Sequence, residues 1–180
     1  MKKALIIIDM QNDYFAGGKM ALVDIDEAMK NTLKLIEDAK EQKYEIFFIQ
    51  HIATRKGAGF FLPNSKGVKL HTRFDVSIGT VIQKHYPNSF RETSLEAKLK
   101  EKGIKDLVIC GAMSHMCVDT TVRAAFDLGY NVELISDACA TKDLTFQGET
   151  TRAKDVHNTF MASLNGVFCK VKNTSHMLSS

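Results

Sequence analysis

Short runs of consecutive apolar residues alternate along this chain with stretches whose apolar positions recur every three or four residues. Ala4–Ile8 (ALIII), Glu45–Gln50 (EIFFIQ), Thr80–Gln83 (TVIQ), Leu107–Cys110 (LVIC), Val132–Ile135 (VELI) and Val167–Val171 (VFCKV) read as six strands. Several are continuously apolar rather than alternating, the pattern of strands covered on both faces. Between them, Asp24–Lys43 places Ile25, Met29, Leu33 and Ile36 on one helical face. Leu95–Lys102 reads as a helix closing at Gly103. His115–Leu128 follows as a helix with Val118, Val122, Ala125 and Phe126 on its inner face and Gly129 as its stop, and Glu149–Leu164 is a further helix. Strands alternating with helices predict an α/β fold, a three-layer α/β/α sandwich around a mostly parallel sheet of about six strands. Ala53–Gly79 interrupts the rhythm, and long irregular connections of this kind commonly form lids or pocket walls. No repeat or linker divides residues 1–180, so a single domain is expected.

Composition narrows the partners. The chain is 44% hydrophobic and 25% charged, which describes a globular protein rather than a disordered one. Its 24 basic and 21 acidic residues are interspersed without a basic block, so no nucleic-acid surface is indicated. Asp9 ends the first apolar run too early for a signal-peptide core, and no segment approaches the ~20 apolar residues of a membrane span. Cys110, Cys117, Cys139 and Cys169 lack CxxC spacing, which points to reduced thiols in a cytoplasmic protein. No membrane partner is expected.

In parallel sheets covered by helices, ligands bind beyond the carboxyl ends of the strands. Those ends carry Asp9–Met10–Gln11–Asn12–Asp13, then His51, then Lys84–His85, then the segment GAMSHMC ending at Cys117. Asp9 reads as a turn former or as a functional carboxylate, and Lys84 as a solvated strand end or a functional cation; position alone does not choose. Cys117 falls in the first turn of a helix, where the helix dipole lowers a thiol pKa, although cysteine is also among the most buried residue types. Gln11, Phe15, His51, Phe60, Phe61, Phe90 and His115 are candidates to wall a substrate pocket, as is Phe74, and aromatics in loops are equally often core residues. Gln11 and Asn12 also read as residues that orient Asp9 or a loop, and His115 as a solvent-facing residue of the first helical turn. Asp119, Arg123 and Asp127, four residues apart, form an exposed ion-pair ladder.

The order Asp9, Lys84, Cys117 in the contexts ALIIIDMQNDYF, TVIQKHYPNSF and LVICGAMSHMCVDTTVRAAFDLGY resembles the isochorismatase-like cysteine hydrolases, which include nicotinamidases and N-carbamoylsarcosine amidases. The likeness extends through the DACAT segment at Asp137–Thr141 and covers nearly the whole chain. It implies the isochorismatase-like hydrolase fold. It also implies that Cys117 attacks a carbonyl carbon to form a thioester, with Asp9 as acid and base and Lys84 as their electrostatic partner. The backbone N–H groups of Met113 and Cys117 would form an oxyanion hole, and the Ala112–Met113 peptide bond is expected to be cis. A cysteine at this position favours a C–N bond substrate, an amide or ureide. The alternatives are ether or ester hydrolysis on the same scaffold and, further off, a redox or binding protein. Nicotinamidases hold a metal ion with a D-x-H motif after the second strand and a later His. Here His51 stands in the Asp position, no His follows two residues on, and only His71 matches the later ligand, so neither metal nor cofactor is expected. The resemblance further implies a small-molecule substrate and a homo-oligomer, dimer or tetramer.

Overall fold

The structure, a computed structural model, describes residues 2–179. Six strands form one sheet: β1 (Lys3–Ile8), β2 (Glu45–His51), β3 (Thr80–Lys84), β4 (Asp106–Ala112), β5 (Asn131–Ala140) and β8 (Lys170–Lys172). Their order is β3-β2-β1-β4-β5-β8, and every pairing is parallel. The chain therefore starts mid-sheet, runs outward to β3, then crosses to the other side at β4. That reversal leaves a crevice beyond the carboxyl ends of β1 and β4, where open α/β sheets place ligands.

Alternate residues of β1 show why the strand is apolar throughout. Leu5 and Ile7 pack with Met29, Leu35 and Ile36 of α1 (Ile25–Glu41). Ala4, Ile6 and Ile8 pack on the opposite face with Leu95 and Leu99 of α2 (Leu95–Glu101), Val122 of α3 (Asp119–Asp127) and Leu164 of α4 (Ala153–Leu164). Helices on both faces complete the three-layer sandwich.

The expected elements shift in three places. Glu149–Thr151 is not the start of a helix but a strand, β7, paired antiparallel with β6 (Leu144–Phe146). The two residues joining them, Gln147 and Gly148, have φ of 50° and 84°, the left-handed conformation that tight hairpins require, so α4 begins only at Ala153. The last strand is Lys170–Lys172, with Val167 exposed in the loop before it, and a short helix α5 (Thr174–Leu178) follows. The helix expected from His115 is two pieces, a π-helical turn (Ser114–Val118) and then α3, with Phe126 at its rim against Phe168 instead of inside. No helix of the described residues is long and apolar enough to cross a membrane.

The irregular stretch between β2 and β3 is fastened over the residues that follow β1. Asn12 N–H donates to Lys69 O, Asp13 N–H to Gly67 O, and His71 N–H to Met10 O. Asp13, buried, accepts the Phe61 N–H at 2.7 Å. Gly67 is required here because a Cβ would fall on the Asp13 carboxylate.

Candidate active site

Asp9 is the first residue past β1, fully buried, with φ of 52° and its N–H donated to Ile49 O at 3.0 Å. Asp tolerates the left-handed region better than most residues. That conformation ends β1 pairing and leaves the carboxylate among the strand ends. Lys84 closes β3, and its side chain, 0% exposed, donates to Asp9 Oδ2 at 2.8 Å, to His51 Nδ1 at 2.9 Å and to Tyr86 O at 3.2 Å. An ammonium has three donors, and all three are used. Among the described residues, Asp9 Oδ1 has no hydrogen-bond partner.

Cys117 lies in the π-helical turn after β4, 4% exposed. Its Sγ, a carboxylate oxygen of Asp9 and a ring nitrogen of His51 all lie within 4.8 Å of one another. The structure thus brings Asp9, Lys84, Cys117 and His51 into one cluster at the switch point. The electrostatics differ from the expectation for a helix-terminal cysteine. Burial pushes the Cys117 thiol well above its ordinary range, the Asp9 charge pushes the same way, and Lys84 pulls it back only in part. For Lys84, burial acts downward, but Asp9 and Cys117 raise it overall, so it stays charged. Burial and then the adjacent Lys84 charge lower His51 to about 4, so the imidazole is neutral near pH 7.

The turn that carries Cys117 is held from several sides. The Ala112–Met113 peptide bond is cis. Met113 O accepts the Met116 N–H at 3.0 Å and the Val118 N–H at 3.2 Å. Ser114 Oγ lies 2.8 Å from His157 Nδ1 on α4 and donates to Ala140 O at 3.3 Å, while His115 Nδ1 lies 2.6 Å from Thr141 Oγ1. His115 is therefore engaged with the end of β5.

The remaining candidates separate. Gln11 is not a free pocket group: fully buried, it donates to His51 O at 2.9 Å and Val68 O at 2.7 Å and accepts the His51 N–H at 2.7 Å. It braces the end of β2 to the loop. Phe61 stands beside His51, ring centroids 6.0 Å apart, and Phe60 packs edge-on against Phe61 at 4.9 Å. Phe15 packs on His71 at 4.2 Å, and Phe74 on Phe48 at 5.4 Å in the core. Phe90 is a correction: its ring stacks on Tyr130 at 5.8 Å, next to the amino-terminal end of β5 and away from the cluster. Of the ladder, Arg123 pairs with Asp119 at 3.0 Å and then reaches Ser163, which leaves Asp127 outside it.

Two features escaped the sequence. Tyr14 is 1% exposed, and its ring lies 4.6 Å from Phe61. Burial, then the charges of Cys117, Asp9 and Asp13, raise its pKa, which places it beside the cluster. The DMQNDYF motif contained the signal, since Tyr14 occupies its aromatic position. The Ser114–His157 clamp had none, because nothing local ties the two residues together.

A nicotinamidase-type metal set does not fit. His51 Nδ1 already faces the Lys84 ammonium, Ala53 stands where a His is needed, and His71 Nδ1 accepts the Arg73 N–H at 3.2 Å. The cluster that does converge, Asp9, His51 and Cys117, has that ammonium 2.8 Å from its carboxylate, which opposes a cation.

The family model for the isochorismatase domain matches residues 3–173. The chain belongs to the isochorismatase family. This isochorismatase-family hydrolase is 46% identical over 179 residues to the isochorismatase family protein YddQ of Bacillus subtilis (strain 168), covering 99% of each chain. It is similar to the crystal structure of an isochorismatase from Pseudomonas putida KT2440, with 36% identity, a TM-score of 0.89, and 97% and 89% of the two chains covered. A more distant relative is the nicotinamidase of Escherichia coli (strain K12), 26% identical over 76% of this chain and 82% of that protein.

Proposed function

We propose that this hydrolase cleaves the C–N bond of a small amide or ureide through a thioester on Cys117. The observation that carries the reading is the buried Asp9–Lys84 pair at 2.8 Å with the Cys117 sulfur within 4.8 Å of an Asp9 carboxylate oxygen. The kinship with a nicotinamidase supports an amide substrate.

The raised thiol means the resting sulfur is protonated, so its proton must leave as attack occurs. Asp9 Oδ1, unpartnered, accepts it while Oδ2 stays on Lys84. Sulfur adds to the carbonyl carbon, and the oxyanion is met by the N–H groups of Met113 and Cys117. Asp9 returns the proton to the leaving nitrogen, the amine or ammonia departs, and the thioester remains. Asp9 then takes a proton from water as it attacks the thioester, and Cys117 leaves as the thiol once that proton is returned. Lys84 keeps its charge throughout and compensates Asp9 whenever it is ionised. The same reading takes the protein as a homo-oligomer acting on a small molecule without a metal or other cofactor.

Iodoacetamide on the native protein should give a single adduct mapped to Cys117. Burial raises all four thiols, but Cys117 is the one with both a carboxylate to take its proton and an ammonium beside it. Cys117→Ala should abolish turnover of a panel of small amides, and Asp9→Asn should lower it by at least 10³-fold while slowing alkylation. Labelling spread over all four cysteines, unchanged by Asp9→Asn, overturns the triad.

A further inference from the structure

Lys84 does more than pair with Asp9: it fixes the tautomer of His51. An ammonium has no acceptor, so a ring nitrogen 2.9 Å from Lys84 Nζ must itself accept. In a neutral imidazole only one nitrogen accepts, and the other carries the hydrogen. His51 Nδ1 is therefore bare and Nε2 carries the N–H. The polar ring contact found among the described residues is the one at Nδ1, and His51 is only partly buried, which leaves Nε2–H for a ligand. The ring cannot turn over to change this without breaking the Lys84 bond. Its backbone is held as well, because Gln11 grips both the N–H and the carbonyl of His51. The neighbour of the ring is apolar, with Phe61 at 6.0 Å and Phe60 behind it.

We propose that His51 Nε2–H is a fixed, neutral hydrogen-bond donor that selects amides bearing an oxygen acceptor, a carbonyl or carboxylate, on the carbon next to the scissile carbonyl. This rests on the proposed amide chemistry for its location, since a His51 ring nitrogen lies within 4.8 Å of both the Cys117 sulfur and an Asp9 carboxylate oxygen, which sets the ring beside the atoms that flank the reacting carbon. A preformed donor in a site walled by Phe60 and Phe61 discriminates strongly. An analogue without the acceptor leaves the N–H unpaired once water is expelled. The buried Lys84 ammonium adds a field that favours the oxygen. His51 is a binding residue in this scheme, and Lys84 positions it.

The test compares oxamate, an amide with a carboxylate beside its carbonyl, with propionamide, of similar size and no second acceptor. Binding is measured by calorimetry on Cys117→Ala protein, which cannot turn over, so the result does not depend on the reaction. Oxamate should bind at least tenfold more tightly. The gap should close in Cys117→Ala with His51→Leu and return in part with His51→Gln, whose amide can accept from Lys84 and donate outward. Separately, two-dimensional ¹⁵N spectra of histidine-labelled wild-type protein should show His51 as the Nε2–H tautomer at pH 7. Equal binding of the two probes, a preference that survives His51→Leu, or an Nδ1–H tautomer overturns the proposal. If those results hold but iodoacetamide ignores Cys117 and no amide is turned over, the amidohydrolase reading fails and the donor assignment stands.

Discussion

Lys84 spends its three hydrogens on Asp9, His51 and Tyr86, and no other described cation replaces it in the cluster. Lys84→Met would leave the Asp9 carboxylate fully buried with neither oxygen paired. Removing one partner of a buried pair costs about 3–5 kcal/mol, far more than the pair itself contributes over an apolar replacement. Urea unfolding should show a loss of that size for Lys84→Met and recovery of part of it in Asp9→Asn/Lys84→Met, where no lone charge remains. A loss of less than about 1 kcal/mol, typical of solvated pairs, would show that the pair is not desolvated. His51 gives a pH signature of its own. Its folded value of about 4 lies below the ordinary 6.5, so the unfolded chain binds more protons between the two. The contribution is complete above pH 6.5 and is lost as the pH falls toward 4. Burial moves His71, His115 and His157 the same way, so the comparison must be with a variant. The melting temperature of the wild type should fall more steeply from pH 6.5 to 5 than that of His51→Gln; parallel curves would remove His51 from the balance.

Elements explain why some positions were legible and others were not. β4 passes so close to β1 that a Cβ on Gly111 would meet the Ile8 backbone, and Gly111 has φ of 123°. Gly148, at φ of 84°, turns the β6–β7 hairpin with open space around it. Gly148→Ala should therefore cost only the roughly 1–2 kcal/mol of a left-handed alanine, whereas Gly111→Ala adds a backbone collision and should cost several kcal/mol or abolish soluble expression. Similar thermal shifts for the two would mean that β4 can move off β1. β1, β2 and β4 could be read because each carries an apolar run whose ends are set by polar residues, whereas the sequence places β8, KVK with one apolar residue, too early. The cluster could be read because Asp9, Lys84 and Cys117 all come at or after the ends of strands. The hairpin could not: its turn depends on Gln147 at φ of 50°, which composition does not announce, and ETT runs directly into the helical period of α4. Nor could the π-helical turn, since a widened turn shifts the register by one residue within the same apolar spacing. Gln11 reads two ways in the sequence, as a pocket wall and as a residue orienting a loop, and the structure shows the second. An amide in a turn motif looks available until the loop that closes on it is placed, and that loop arrives from residues 52 and beyond.

At the scale of the whole molecule, the sheet separates two ends with different duties. The carboxyl end holds the Asp9, Lys84 and Cys117 cluster, while a cavity of about 590 Å³ opens at the amino end between Lys3, Asp106, Tyr130, Glu133 and Phe168. Cys169 lines that cavity, but burial pushes its thiol up to about 12 and the charge acting on it is the Arg123 guanidinium rather than a carboxylate base. The charged residues of the cavity instead join strands: Glu133 on β5 accepts Lys3 of β1 at 3.1 Å and Lys172 of β8 at 2.6 Å, spanning the sheet across β4. The pair of bonds is partly exposed, which limits it to about 1 kcal/mol. Glu133→Gln should accordingly lower the melting temperature by roughly 2–4 °C for a chain of this size. The kcat/KM of Glu133→Gln for any amide that the wild type hydrolyses should stay within twofold, because the substitution lies at the opposite end of the strands from Cys117. A fall in kcat/KM of tenfold or more, with the fold intact by circular dichroism, would place substrate or a coupled motion at the amino end and move the chemistry away from the switch point between β1 and β4.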